Sequence, residues 1–187
     1  IPLYNESESI EELNNWVTKT LYSARITFEI IYIDDGSSDG SWDIIKRLAN
    51  NSNNIKGISF SKNFGKSQAL NAGFIECKGN FVATLDADLQ DSPEEIPEMI
   101  NKIKKGNLDL ISGWKKKRYD SLIIKKIPSK LFNFVARYTS GIKIHDFNCG
   151  IKVYRSDVIK SIDIYGDMHR FIPIIAMNEG YNKIDEH

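Results

Sequence analysis

Cysteine is scarce in this sequence, and other features that define whole classes of protein are missing or cancel out. Two cysteines among 187 residues are too few for a disulfide framework, and neither Cys77 nor Cys149 belongs to a Cys-x-x-Cys or Cys/His metal motif. The 25 basic and 25 acidic side chains cancel, so no bulk attraction to nucleic acid or to an anionic membrane is implied. No apolar run approaches the roughly 20 residues of a membrane span. We therefore expect a reducing, cytosolic setting.

Length and composition suit one globular domain. The hydrophobic fraction of 41% and the charged fraction of 27% are typical of soluble globular proteins, and the chain is long enough for one continuous core. No repeat, low-complexity segment or linker interrupts it, so we expect a single domain over residues 1–187. The chain starts without Met on the tail of an apparent strand and stops just after another, so we expect it to be part of a longer protein.

An apolar run that ends in alternating carboxylates is the most informative stretch. Residues 81–85 are typical of a buried strand, and Asp86 and Asp88 follow at its end. Strand side chains alternate, so residues two apart project to the same side and the two carboxylates can converge. A hard divalent cation, Mg²⁺ or Mn²⁺, is the usual partner of converging oxygen ligands. The alternative is a solvated, Asp-rich turn.

The hydrophobic periodicity alternates between strand and helix along most of the chain. This order predicts an α/β fold, with a mostly parallel sheet and helices on both faces. Ser9 with Glu12 predicts a capping box, and Ser92 before Pro93 predicts a second helix start. We expect strands at 1–3, 28–33, 55–60, 81–85, 108–112, 149–155 and 181–185, and helices at 10–21, 42–49, 67–77, 93–103, 125–139 and 169–179.

Polar clusters follow four of the predicted strands at their carboxyl ends. They are residues 5–6, 34–35, 61–66 and 86–88. Ligands of such sheets bind outside the carboxyl ends of the strands. Four independent strands thus point polar residues at one crevice, which favours a ligand site over a solvated turn. A basic block at 115–118 and 125–126 is normally a solvated face, but directly after a strand end it can also flank an anionic site.

Several motifs, in order and separation, resemble the inverting family-two glycosyltransferases of GT-A fold. They are Pro-Leu-Tyr-Asn-Glu at 2–6, Asp-Asp-Gly-Ser-Ser-Asp at 34–39, Asn-Phe-Gly-Lys at 63–66, Ala-Leu-Asn-Ala-Gly at 69–73 and Asp-Ala-Asp-Leu-Gln-Asp at 86–91. Residues 146–152 and 169–173 are similar to the polyprenyl-phosphate branch, which contains the dolichyl-phosphate mannosyltransferases and undecaprenyl-phosphate sugar transferases. The resemblance spans nearly the whole chain.

The resemblance implies transfer of a sugar, with inversion, from a UDP- or GDP-sugar donor that is bound with Mg²⁺ or Mn²⁺. Residues 1–113 would form the donor half and residues 114–187 the acceptor half. Asp88 would be the main metal ligand and a catalytic residue, with Asp86 ligating directly, through water or by contacting the sugar-ribose region. The residues implied to bind the donor are Pro2, Tyr4, Glu6, Asp35, Lys66, Asp86, Ala87 and Asp88. Tyr4 in plain packing and Lys66 as a surface lysine are the structural alternatives.

The branch resemblance further implies a polyprenyl-phosphate acceptor, reached from the cytoplasmic side of a membrane surface. Arg170 and Asp146 are implied in catalysis, Asp146 as base or positioner, or alternatively as a structural partner of the turn at 148–150. No nucleic-acid partner is expected, and a homo-oligomer is compatible with the resemblance. The cations implied to hold the acceptor phosphate are Lys117, Arg118, Arg137, His169 and Arg170.

Three other functions use similar residues. Transfer to a sugar hydroxyl, in cell-surface polysaccharide synthesis, would need a general base, whereas a lipid phosphate is already anionic and needs chiefly to be oriented. A sugar nucleotidyltransferase should show a Gly-rich phosphate loop near the first strand, and residues 1–6 have none. A non-catalytic nucleotide-binding module would not require both a carboxylate pair and a basic acceptor block.

Overall fold

The computed structural model describes residues 1–115, 133, 136–138 and 140–187. Within these ranges strands and helices alternate as the periodicity predicts, and the α/β fold class is confirmed. The predicted helix at 125–139 lies largely outside the described residues.

In chain order the elements are β1 (Pro2–Leu3), α1 (Ile10–Ser23), β2 (Ile30–Asp34), α2 (Ser41–Asn51), β3 (Ile55–Ser59), α3 (Lys66–Glu76), β4 (Phe81–Thr84), a 3₁₀ turn (Pro93–Glu95), α4 (Ile96–Gly106), β5 (Leu110–Ser112), β6 (Lys152–Arg155), α5 (Ser156–Ser161), a 3₁₀ turn (Met168–Phe171), α6 (Ile172–Asn178) and β7 (Ile184–Glu186).

The strands form two groups. In the first, β1, β2 and β3 pair in parallel, in that order, with Leu3 opposite Asp34 and Asp34 opposite Ser59. In the second, the order is β4-β6-β5-β7, and β5 pairs with β7 in parallel. Strand β6 runs antiparallel to both of its neighbours. Three of the five pairings among the described strands are parallel, which agrees with the predicted mostly parallel sheet.

Helix α1 shows how the apolar pattern becomes packing, and where the capping prediction is wrong. Ile10, Leu13 and Val17 are buried and lie on one face, as their spacing requires. The Ser9 side chain does not cap the helix; its Oγ donates instead to the backbone oxygen of Glu6 at 3.1 Å and to the Glu6 carboxylate at 3.2 Å. Ser9 has φ −104° and ψ −24°, a helical conformation, whereas a capping serine typically has an extended backbone.

The start signal at Ser92 is confirmed, with a local difference in helix type. The Ser92 Oγ accepts from the backbone N–H of Glu94 at 3.3 Å, and Pro93 occupies the first position of the 3₁₀ turn. Helix α4 continues directly from this turn and ends at Asn107, which takes a left-handed conformation with φ 46°. The predicted helix at 169–179 divides in the same way, into a 3₁₀ turn and α6.

An apolar cavity of about 810 Å³ lies between the two groups of strands. Side chains of β2, β4, α1, α3 and α4 line it, among them Ile31, Phe74 and Phe81. None of the predicted site residues that the structure describes lines it, so this cavity is distinct from the predicted site at the strand ends. No helix within the described residues is both long enough and apolar enough to cross a membrane.

Candidate active site

The loops that follow β1 and β2 are fastened to each other by hydrogen bonds. The backbone N–H of Asn5 donates to Ser37 Oγ at 2.8 Å, and Asn5 Oδ1 accepts from the Ser38 N–H at 2.8 Å. Asn5 has φ 55°, a left-handed conformation that asparagine tolerates better than most residues. The Glu6 N–H donates to Ser41 Oγ at 3.0 Å. The structure thus brings the first two motifs to one edge of the sheet.

The two acids at the end of β2 are buried and organise the neighbouring loops. Asp34 accepts from the Ser37 N–H at 3.0 Å. Asp35 accepts from the backbone N–H groups of Phe64 and Gly65 at 2.7 and 2.9 Å. A buried carboxylate is stabilised by such charge-assisted bonds, so Asp35 shapes the loop that leads to Lys66. Its predicted contact with the donor stays a prediction.

Lys66 and Asp86 meet across the crevice. The Lys66 Nζ lies 2.5 Å from Asp86 Oδ1, and the two side chains are 35% and 32% exposed. Lys66 begins α3 and Asp86 follows β4. Lys66 thus contacts a predicted metal ligand, and its predicted contact with the donor stays a prediction.

The loop around Asp88 is exposed and conformationally strained. Asp88 Oδ1 accepts from the Gln90 N–H at 3.1 Å. Between them, Leu89 has φ 61°, a conformation that bulky residues rarely adopt. Backbone strain of this kind persists where the surroundings enforce it, and it clusters at functional sites. Leu89 packs against the core and Ala87 is buried within it, so alternate residues anchor the loop while Asp88 faces solvent.

The donor set of this loop suits a hard divalent cation. Asp86 and Asp88 offer carboxylate oxygens, which Mg²⁺ and Mn²⁺ prefer. Within the described residues, no group of three or more His, Cys, Asp or Glu side chains forms a metal cage. A magnesium-type site needs only one or two carboxylates, together with waters and substrate phosphates. The residues present therefore fit the implied metal.

The predicted acceptor residues at 169 and 170 lie against the same crevice. Ser67, buried beside Lys66, accepts from the His169 backbone N–H at 2.9 Å, and its Oγ lies 3.1 Å from His169 Nδ1. Burial lowers the pKa of His169 to about 4, and the charges of Lys66 and Arg170 act in the same direction. Without a bound anion the His169 imidazole is therefore neutral near pH 7, and its predicted role as a cation for the acceptor phosphate stays a prediction. Arg170 is exposed beside it.

Asp146 contacts the turn at 148–150, as the structural alternative for this residue predicts. Its side chain is buried, and Oδ1 accepts from the Asn148 N–H at 3.0 Å. Its backbone oxygen accepts weakly from Ser112 Oγ at 3.4 Å. Asp146 thus shapes the turn before β6, and its catalytic role stays a prediction.

The remaining predicted residues divide by position. Pro2 is buried in β1 opposite Ile33, whereas Tyr4 is 48% exposed, which is more than plain core packing requires. Arg137 is half-buried, and its Nε has no hydrogen-bond partner among the described residues. Lys117 and Arg118 lie outside the described residues, so their place in the site is a prediction.

Two residues of the 146–152 motif lie close to Asp86, although no role in the site was predicted for them. Lys152, in β6, is buried and donates to the backbone oxygen of Cys149; burial lowers its pKa, and the charges of Asp86 and Cys149 oppose that shift. Gly150 lies so close to Asp86 that an added Cβ would meet the carboxylate at 2.6 Å. A lysine in a strand-like run carries no sequence signal of burial, and the Cys-Gly pair alone does not reveal what it contacts.

Comparison with known proteins agrees with this arrangement. The model of the family described as "Glycosyl transferase family 2" matches residues 1–163. The chain belongs to glycosyl transferase family 2. It is 36% identical over 174 residues to the dodecaprenyl-phosphate galacturonate synthase of Rhizobium johnstonii, which covers 92% of this chain and 52% of that protein. It is 37% identical over 177 residues to the undecaprenyl-phosphate 4-deoxy-4-formamido-L-arabinose transferase of Salmonella choleraesuis, covering 94% and 54%.

The chain spans about half the length of these relatives, and their names agree with the predicted polyprenyl-phosphate branch. Among solved structures, the fold is similar to that of glucosyl-3-phosphoglycerate synthase from Mycobacterium tuberculosis, solved in complex with Mn²⁺ and UDP-glucose. The TM-score is 0.76 at 18% identity, over 99% of this chain and 66% of that chain. At this identity the likeness shows the fold alone, and the predicted GT-A fold is confirmed.

Proposed function

We propose that this family-two domain transfers a sugar from a nucleotide-sugar donor to a polyprenyl phosphate, with inversion at the anomeric carbon. The observation that carries the proposal is one line of contacts along the crevice. Asp86 pairs with Lys66, the next residue Ser67 bonds His169, and Arg170 follows. Carboxylates suited to a metal and a cation suited to a phosphate therefore share one site. The names of the relatives support the same acceptor class.

The reaction is a single displacement. A phosphate oxygen of the lipid bonds to the anomeric carbon as the bond from that carbon to the diphosphate oxygen breaks, and the electron pair leaves with the nucleoside diphosphate. When bound, the divalent ion stabilises the negative charge of the leaving diphosphate. Asp88 and Asp86 would hold that ion, and Lys66 would add positive charge beside it.

The acceptor phosphate is anionic, so no proton has to be removed before attack. The chain's task on this side is to hold and orient the phosphate. We assign this task to Arg170, which is exposed, while neutral His169 hydrogen-bonds Ser67 and fixes the turn. The burial of Asp146 in a turn supports an acceptor that needs no general base. We further propose that the site works at the cytoplasmic surface of a membrane.

A donor-by-acceptor screen of the full-length protein tests this function. UDP- and GDP-sugars are combined with a short polyprenyl phosphate or with free sugar acceptors, in the presence of Mg²⁺, Mn²⁺ or EDTA. We expect a glycosylated lipid phosphate only with metal, and NMR of the product should show the anomeric configuration opposite to that of the donor. Transfer solely to sugar hydroxyls would reject the lipid-phosphate acceptor.

A further inference from the structure

A buried ion pair adjoins the candidate active site without belonging to any predicted role. The Lys115 Nζ lies 2.6 Å from Asp91 Oδ1, and the Asp91 side chain is 1% exposed. Apart from this ion pair, neither carboxylate oxygen of Asp91 has a hydrogen-bond partner among the described residues. A buried carboxylate is costly unless it is compensated, so Asp91 depends on Lys115.

The pair connects the segments that build the metal-binding edge of the crevice. Asp91 lies three residues after Asp88 in the same loop, and Lys115 lies three residues after the end of β5. The Cα of Gly150 faces both carboxylates of the loop: an added Cβ would stand 2.6 Å from Asp86 Oδ2 and closer still to Asp91 Oδ2. The turn before β6 thus closes against Asp86 and Asp91 together.

Lys115 also acts electrostatically on the exposed end of the loop. Burial by itself lowers the pKa of Lys115, but the hydrogen bond and charge of Asp91 outweigh it, and the charge of Asp88 adds to the rise. The Lys115 ammonium therefore stays positively charged, and it interacts electrostatically with Asp88, the predicted main metal ligand. Its position is set by Asp91, since the lysine stem alone is flexible.

Stability alone is a poor reason for such a pair. A buried ion pair contributes little more than well-packed apolar side chains of similar volume, because the desolvation of both charges offsets their attraction. Residues that contact the metal ligands, and not the metal, orient those ligands, and their loss typically lowers metal affinity about 10–100-fold. The contact with Gly150 and the neighbourhood of Asp88 favour this second explanation.

We propose that Asp91 is a positioning residue: through its buried pair with Lys115 and its contact with Gly150, it holds Asp86 and Asp88 in the arrangement that binds metal and donor diphosphate. This inference rests on the proposed function. It assigns no contact with substrate to Asp91, and it predicts that loss of the pair weakens metal binding more than it weakens the fold.

The test replaces Asp91 by asparagine, which keeps the shape and removes the charge. Binding of Mn²⁺ is followed by electron paramagnetic resonance in the presence of UDP or GDP, beside kcat, the donor KM and the thermal midpoint of the full-length protein. We expect Mn²⁺ affinity to fall about 10-fold or more in D91N. The matched control is Asp157→Asn, which breaks an exposed ion pair with Arg155 of the same 2.6 Å length and should leave Mn²⁺ affinity unchanged.

A second pair of variants keeps the proposal testable if D91N folds poorly. Lys115→Met leaves the buried Asp91 carboxylate without its cation, so the thermal midpoint should fall, and Mn²⁺ affinity, measured below that midpoint, should fall as well. Lys115→Arg keeps the positive charge and should retain both. A purely structural pair would lower the thermal midpoint and leave Mn²⁺ affinity within about twofold, which overturns the proposal. Wild-type protein that binds neither nucleotide with Mn²⁺ would instead refute the proposed function, and the positioning role with it.

Discussion

Lys66 Nζ and Asp86 Oδ1 lie 2.5 Å apart, which joins the first residue of α3 to the loop after β4. Both side chains are about one-third exposed, so the pair contributes roughly 1 kcal/mol or less to the free energy of unfolding. Its position is more informative than its energy. The ammonium contacts a predicted metal ligand, and the next residue, Ser67, bonds His169; in the proposed function Lys66 balances the charge of the donor diphosphate.

Replacing Lys66 by methionine should impair catalysis with little effect on folding. The stem of methionine fills similar space, but no positive charge remains beside the leaving diphosphate. We expect kcat/KM for the donor to fall on the order of 100-fold, with a thermal midpoint close to that of the wild type. The control is Lys46→Met, which removes a 2.7 Å ion pair with Asp43 on the exposed face of α2; equal losses in both variants would contradict the role of Lys66.

Replacing Asp88 by alanine should abolish transfer and metal-dependent donor binding. Within the part of the chain that the structure describes, the Asp88 side chain accepts one hydrogen bond, from the nearby Gln90 N–H, so the fold should tolerate its loss. Calorimetric titration of UDP or GDP with and without Mn²⁺ measures the effect. Asp185 is a matched control, because it is exposed and likewise accepts a local backbone bond, from Glu186 at 2.9 Å. Unchanged turnover in D88A would sink the metal-site assignment.

Replacing Gly150 by alanine should displace the Asp86 carboxylate, and so weaken both the fold and metal binding. The new Cβ would meet Asp86 within 2.6 Å, and such overpacking costs about 1–3 kcal/mol. We expect a lower urea midpoint together with weaker Mn²⁺ binding. At Gly79 an added Cβ would have only backbone atoms of Phe81 within 4 Å, the nearest being the oxygen at 3.0 Å, and no predicted site residue. Gly79→Ala should lower stability at most, and a G150A variant that binds Mn²⁺ normally would show that the two carboxylates can move.

Features that depend on neighbouring residues could be predicted from the sequence, whereas features that depend on residues far apart in the chain could not. Strand and helix periods predicted most elements, and the acids after β2 and β4 were found from their position at strand ends. The antiparallel insertion of β6 between β4 and β5 was not predicted, because strand order depends on pairings between residues far apart in the chain. The Asp91–Lys115 contact was missed for the same reason. Neither residue type signals burial, and only the folded chain brings them together.

Replacing Arg170 by alanine should affect the acceptor and not the donor. Arg170 is exposed, and a guanidinium suits a phosphate through bidentate hydrogen bonds. We expect the KM for polyprenyl phosphate to rise, or kcat to fall, on the order of 10-fold, with donor affinity intact. Arg47→Ala, which breaks an exposed pair with Glu11, is the control. Weakened donor binding alone in R170A would argue against an acceptor role.

His169 should make stability depend on pH in a defined window. Its pKa is lowered from 6.5 to about 4, chiefly by burial. Between these values the unfolded chain binds a proton that the folded chain does not, so the free energy of unfolding falls as pH drops from about 6.5 to 4. Above that window the group is neutral in both states and contributes nothing to the pH dependence.

His169→Gln removes the imidazole that binds this proton and keeps a side chain that can hydrogen-bond to Ser67. The difference in urea midpoint between wild type and H169Q should therefore shift in favour of H169Q as pH falls from 7 to 4. His145→Gln, at an exposed histidine bonded to Glu186, controls for the loss of a histidine elsewhere. Proton NMR of the imidazole gives the pKa directly. A pKa near 6.5, or parallel pH profiles for wild type and H169Q, would contradict the lowered pKa. His169 would then be charged below about pH 6.5 and able to act as a cation for the acceptor phosphate.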